Sequence, residues 1–276
     1  MSSMPEKITL NGVPETLLVP LFYRAKETQS AAPLIRDTKA VEIIKTLDYD
    51  FSRCNKWSTQ ACVVVRTRLF QDAIQRFLDK NPRSVVINLA AGLDNRFAEL
   101  DNGQVRWFDL DLPEVIAVRK RYIRESDRRT FIASDVLDFS WVDQLGLTDT
   151  SLPVLVVAEG LLPYLPEDKA RQLLSTLADR FQTCQIVLEI FGSFVVGREW
   201  CVSEFKHIKP VPKFYWSPRD PHSLETWDKR FKTLAVENLF SHYPKQWRMA
   251  WHLFKRSSAI RNLLGSRVVT LDLNAG

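Results

Sequence analysis

No CxxC pair occurs in the chain, and none of its four cysteines, Cys54, Cys62, Cys184 and Cys201, stands at zinc-site spacing from a histidine. That excludes a thiolate metal module and leaves the cysteines as reduced core or lid residues. No apolar run approaches the roughly 20 residues that span a bilayer. The start, MSSMPEKITLNG, lacks the basic and apolar segments of a secretory signal, so a cytoplasmic location is expected. Long basic runs are missing too. The net charge of +5 comes from 38 basic residues scattered among 33 acidic ones, which argues against nucleic acid as a partner. His222, His242 and His252 have no partner at catalytic spacing and read as structural. With no repeat and no low-complexity linker, residues 1–276 are expected to form one domain. Glycine is scarce, at 9 residues in 276.

What is present from residue 84 onward is alternation. Short apolar β-rich runs begin at 84 (SVVINL), 105 (VRWFDL), 130 (TFIAS), 153 (PVLVVAE), 185 (QIVLEIF), 232 (KTLAVENLF) and 267 (RVVTLDL). The first five are apolar on both faces, as buried parallel strands are. Between them lie helical patterns, notably 113–126, opened by Pro113 and Glu114, and 166–183, opened by Pro166, Glu167 and Asp168. The expected fold is α/β, a doubly wound, mostly parallel seven-stranded sheet with the last two runs as a terminal pair. Residues 1–80 read as a helical amino-terminal cap, 84–191 as the ligand-binding core, 192–231 as an aromatic and basic lid insert, and 232–276 as terminal strands and a helix. The basic amphipathic segment from 247, WRMAWHLFKRSSAIRNLL, is expected to pack on the flank of the sheet, with a membrane surface as its alternative.

The scarcity of glycine matters in VVINLAAGLDNRF, residues 85–97, where a strand runs into a turn holding only Gly92 and then into a candidate helix. Asn88, Ala90, Ala91 and Gly92 are small or polar, so backbone can approach a ligand there. The second strand ends FDLDLPE, which puts Asp109 and Asp111 where a ribose hydroxyl pair is gripped; only one is needed, and Asp109 is expected to cap or to be solvated. Several glycines serve a pyrophosphate held against backbone. One glycine suggests a nucleoside without phosphates.

Arg66 stands on a helical stripe with Cys62, Leu69, Phe70, Ala73 and Phe77, while Arg68 points to the opposite, polar face. An arginine amid apolar neighbours needs an anionic partner, either a ligand or a carboxylate of the sheet. Glu159, after the apolar strand PVLVVA, is either a loop acid or a site residue at a strand end.

In family order and spacing, PETLLVPLFYRAKE (14–27), DYDF (48–51), VRTRLFQD (65–72), NLAAGLDNRF (88–97), DLDLPEVIAVRKR (109–121), ASDVLD (133–138) and AEGLLPYLPED (158–168) resemble the leucine carboxyl methyltransferase family, and within it the tetracenomycin-type O-methyltransferases of polyketide biosynthesis. The resemblance covers about the first two thirds of the chain. It implies a class I, Rossmann-like methyltransferase fold and S-adenosylmethionine as cofactor. It also implies roles: Arg66, and less directly Arg24, on the methionine carboxylate; Gly92, with Asn88 and Ala90, at the turn beside the methionine part; Asp111 and Leu112 at the ribose; Asp135 and Val136 at the adenine; and Glu159 near the cofactor's amino end. One departure stands out. The family's GAGLDTR is AAGLDNR here, with Ala90 for glycine and Asn95 for threonine, which narrows the approach to the ligand.

The expected reaction is methyl transfer to oxygen, foremost a carboxylate of a small organic acid, with no metal. A carboxylic acid with pKa near 4 is already ionised at neutral pH, whereas a phenol near 10 needs a base. Tyr164 and His207 are the candidates beside the transferred methyl. Trp200, Lys206, Lys209, Phe214, Tyr215 and Trp216 either line an acceptor pocket or belong to a surface lid with scattered charge. Alternatives are a protein carboxyl terminus or a phenol as acceptor, a cofactor-binding relative without turnover, and a dehydrogenase sharing the sheet.

Overall fold

The computed structural model describes residues 10–149 and 151–275, without the side chains of Cys201, His207, Lys255 and Ser258. The amino-terminal region supplies helices α1 (Leu18–Thr28), α2 (Thr38–Thr46) and α3 (Trp57–Lys80). Then follow β1 (Val85–Leu89), the single turn α4 (Phe97–Leu100), β2 (Arg106–Asp111), α5 (Pro113–Tyr122), β3 (Arg129–Ala133), α6 (Trp141–Gln144), β4 (Val154–Ala158), α7 (Glu167–Arg180) and β5 (Cys184–Ile190). The chain closes with β6 (Lys232–Asn238), α8 (Ala250–Arg256), α9 (Ser258–Leu264) and β7 (Arg267–Asp272).

All seven predicted strands are present, in one sheet of order β3-β2-β1-β4-β5-β7-β6. The first five run parallel, and β7 runs antiparallel to both β5 and β6. Alternation along the strands explains the layering. Val85, Ile87, Leu89, Val154, Val156 and Ala158 face one layer with α7, while Val86, Leu155 and Val157 face the other with α3. Both faces are covered, so the strands read as continuous apolar runs. A third cluster joins α1, α2 and α5 through Leu18, Leu21, Ile43, Val115 and Val118 and includes Leu93, which sets the amino-terminal helices over the turn that follows β1.

Helix ends follow local chemistry. Pro113 and Glu114 start α5, and Arg119, Lys120 and Arg121 fill its last turn, the signs that a helix dipole favours. The helix stops at Tyr122, four residues before the predicted 126. Ile123 turns extended and packs on Ile116 and Phe131, and Ser126 pairs with Arg129 to lead into β3. The segment from 247 is broken at Ser257, which is extended and caps α9 by accepting from the Ile260 amide.

Asp109 corrects the reading from sequence. It is fully buried rather than capping or solvated, and its carboxylate receives Arg119 at 2.8 Å, Arg129 at 2.7 Å, and Asn88 and Trp107 at 3.0 Å each. Burial opposes its charge, yet the two arginines win and hold the carboxyl below its usual range. Those arginines come from α5 and β3, and spacing within β2 cannot reveal them. Removing one partner of a buried ion pair leaves uncompensated charge. Asp109→Ala is therefore expected to cost about 3–5 kcal/mol, read as a lowered urea midpoint in equilibrium unfolding.

Candidate active site

The turn after β1 lies where the strand order reverses, between β1 and β4, which is where ligands bind in open α/β sheets. Its backbone is tied on both sides. The Gly92 and Leu112 amides donate to the Asp111 carboxylate at 2.7 and 2.8 Å. The Arg119 guanidinium donates to the carbonyls of Gly92 and Asp94 at 2.7 Å each, and to that of Ala91 at 3.3 Å. This is no cradle of free amides for a phosphate, and one glycine suffices. Gly92 takes φ +50°. Ala90 takes φ +51°, so the alanine at the departing position sits in left-handed backbone that glycine prefers.

Over this turn opens a cavity of about 530 Å3, a volume ordinary for a small-ligand site. Eleven of the twelve residues expected at the site line it: Arg24, Arg66, Asn88, Ala90, Gly92, Asp111, Leu112, Asp135, Val136, Glu159 and Tyr164. The twelfth is His207, whose side chain lies outside the described residues. Asp111 is nearly buried, and that pushes its carboxyl up to about 6 against the pull of its two amide donors. Asn88 is anchored beneath, donating to both Asp94 and Asp109.

The charged end of the cavity is a linked set of arginines and acids. Arg66 of α3 donates to Glu159 at 2.7 Å and to Glu189 at 3.0 Å. Arg96 reaches Glu159 from the other side and lies 2.7 Å from Asp94. Arg24 of α1 holds Asp37 at 2.9 Å and the Leu93 carbonyl at 3.1 Å. Burial works against charge on both glutamates, with different outcomes. Arg96 and Arg66 together pull Glu159 down to about 2, whereas Glu189 shares only Arg66 and is pushed up to about 7. Both readings of Arg66 meet here: it is ion-paired to acids at the ends of β4 and β5, and it lines the cavity.

The other end is apolar, walled by Tyr164, Phe191, Val195, Val202, Phe205 and Phe214. Tyr164 stands against Phe191 and Phe214, with ring centroids 6.4 and 5.3 Å away. Burial raises its phenol well above the usual value, which keeps it protonated. Of the insert residues proposed as lining, Phe214 is there. Trp200, Lys206, Lys209 and Tyr215 are exposed, and Trp216 packs in the sheet core against Trp227. The insert's short 3-10 turns direct its apolar side chains inward and leave its lysines in water, as their desolvation cost requires. The cations at the cavity come instead from α1, the approach to α3, α3 and the first turn: Arg24, Lys56, Arg66 and Arg96.

Sequence reasoning missed Glu189 and Arg96. Glu189 had the signal that flagged Glu159, an acid ending an apolar strand. Arg96 ends the AAGLDNR motif, but its role could not be read there, because its burial depends on Asp94 and Glu159 closing around it. His222 and His242 are paired with Glu225 and Glu237 outside the cavity.

A parallel sheet of this order, reversed only at β7 and opening a cavity over β1, β2 and β4, is the class I methyltransferase fold. A DUF574 family protein from Streptomyces avermitilis shares it, with a TM-score of 0.62 at 10% identity over 95% of this chain and 97% of that one. The sequence narrows the class. Residues 18–178 match the model of the leucine carboxyl methyltransferase family, and the chain belongs to that family. It is 34% identical to the tetracenomycin polyketide synthesis O-methyltransferase TcmP of Streptomyces glaucescens, over 81% of this chain and 82% of that protein. It is 30% identical to the S-adenosyl-L-methionine-dependent methyltransferase dpfgK of Gibberella zeae, over 80% of each.

Two outcomes follow. Left-handed backbone at a residue with a Cβ costs about 1–2 kcal/mol, partly offset by the unfolded-state freedom that glycine adds. Ala90→Gly is thus expected to raise the melting temperature slightly, as followed by circular dichroism. Glu189 titrates near 7 in the folded protein against an ordinary 4.5. The folded state therefore holds more protons between those values, and stability falls as pH rises through that window. Glu189→Gln should lose less stability than the wild type between pH 4.5 and 7, measured as the difference in urea midpoints.

Proposed function

We propose that the chain transfers the methyl group of S-adenosylmethionine to a carboxylate oxygen of a small, largely apolar organic acid. The observation that carries this reading is a single cavity with a charged end built on Arg66 and Glu159 and an aromatic end built on Tyr164, Phe191 and Phe214. The residues present fit the cofactor. Asp111 is a buried carboxylate held near 6, and ribose hydroxyls would donate to it and relieve its desolvation. Asp135 and Val136 offer an acceptor and an apolar wall for the adenine, Arg66 a fork for the methionine carboxylate, Glu159 a fixed negative charge for the ammonium, and Arg24 further positive charge beside them. When bound, the cofactor supplies an electrophilic methyl on a sulfonium.

The protein's own part is alignment and exclusion of water. To take up a carboxylate, Arg66 must release one acid, and Glu189 is the weaker holder because it is half neutral near pH 7. Tyr164 stays a phenol, so it can donate a hydrogen bond but cannot act as a base. That suits an acceptor already ionised at neutral pH, such as a carboxylic acid. A second reading, a phenolic acceptor, is favoured by Glu189 alone, since a cavity carboxylate near 7 is poised as a base.

The expected outcome is a rise in melting temperature with S-adenosylhomocysteine and none with NAD or NADH. Ligand at about 100 times its dissociation constant adds about 2.7 kcal/mol, and Arg66→Ala should abolish most of that gain. Methyl ester formation from a panel of apolar acids, with phenols alongside, then separates the two acceptors. A shift with NAD alone would sink the assignment.

A further inference from the structure

From Asn238 through Leu271 the sequence contains no acid, while Lys245, Arg248, Lys255, Arg256 and Arg261 fall within it. In the fold this stretch is α8, α9 and their flanks. Phe254 anchors α8, stacked on Phe240 with centroids 3.8 Å apart and edge-on to Trp247. The opposite face carries Met249, 88% exposed, with His252, Leu253 and Arg256 also exposed; at i, i+3, i+4 and i+7 they lie together. Leu263 and Leu264 of α9 are exposed as well. Among the described residues, Glu237, Asp72 and Glu27 pair with His242, Tyr243 and Gln246 of the segment. Exposed apolar side chains scattered singly need no explanation, but a group of them beside cations is the pattern of a helix lying in a membrane interface.

The patch also reaches the cavity. The Phe194 amide donates to the Leu263 carbonyl at 3.1 Å, and Phe194 is itself exposed. Gly192 lies against the Leu264 carbonyl, close enough that a Cβ there would collide with it. Next in line, Val195 and Ser266 line the cavity.

We infer that α8, α9 and the turn at 192–195 form a docking face for an anionic lipid bilayer, which sets the rim of the cavity at the surface where an apolar acceptor partitions. The route of the acceptor rests on the proposed methyl transfer; the docking does not. Charge selects the occupant, because an acid-free segment with exposed Arg248 and Arg256 complements a negatively charged surface.

The test is co-sedimentation of the full chain with phosphatidylcholine vesicles, with and without phosphatidylglycerol. Binding is expected only with phosphatidylglycerol present, weakening as salt rises. The double variant Met249→Asp with Leu253→Asp should lower partitioning at least tenfold while leaving the S-adenosylhomocysteine melting shift unchanged, which shows the variant folded. Equal sedimentation of variant and wild type, or no binding at low salt, overturns the proposal. So does a wild-type dimer in light scattering that the variant converts to monomer without any vesicle binding, since a second copy then covers the face. Vesicle binding without a melting shift leaves the docking standing and removes the enzyme reading.

Discussion

The buried pair of Asp109 and Arg119 is the constraint on which the site rests. Asp109 neutralises Arg119 inside the sheet layer, and the two terminal nitrogens of Arg119 donate to the carbonyls of Ala91, Gly92 and Asp94. A charged guanidinium cannot be left without partners at that depth. The turn is therefore held from behind by a group that must bond to it, and Asp111 takes the Gly92 amide in front. The turn is thus anchored at Ala91, Gly92 and Asp94, while Ala90 beside it takes a positive φ.

The same economy governs the charged end of the cavity. Two arginines enclose Glu159, while Glu189 has only a share of Arg66, so two glutamates at neighbouring strand ends differ widely in acidity. One remains ionised and the other titrates near neutral pH. Burial sets the scale of both effects and the number of guanidinium partners sets their sign. Across the cavity Tyr164 joins an aromatic wall, and its phenol is kept neutral by the same burial.

Much of this was legible in the chain. Val85 to Leu89 and Val154 to Ala158 announce strands buried on both faces, and Pro113 and Glu114 announce a helix start. The ordered motifs around Arg66, Gly92, Asp111, Asp135 and Glu159 named residues that line one cavity. Where the reading went wrong, the deciding contact came from elsewhere in the chain. Asp109 looked solvated because Arg119 and Arg129 lie on other elements, and α5 ended early because Ile123 finds Phe131. Lys206 and Lys209, candidates as cations of the insert for an acceptor pocket or for a surface lid, are exposed to water.

Sequence by itself determined what is local or periodic: seven strands, the main helices, a turn after the first strand with a single glycine, and the motif residues that line one cavity. These follow from side-chain alternation, capping chemistry and backbone freedom, which act within a few residues. Only the tertiary structure decided which acid meets which arginine, which glutamate ionises, and which aromatics of the insert face the cavity. Those depend on distances between groups brought together by the sheet order, and on desolvation, which exists only once the chain has closed around them.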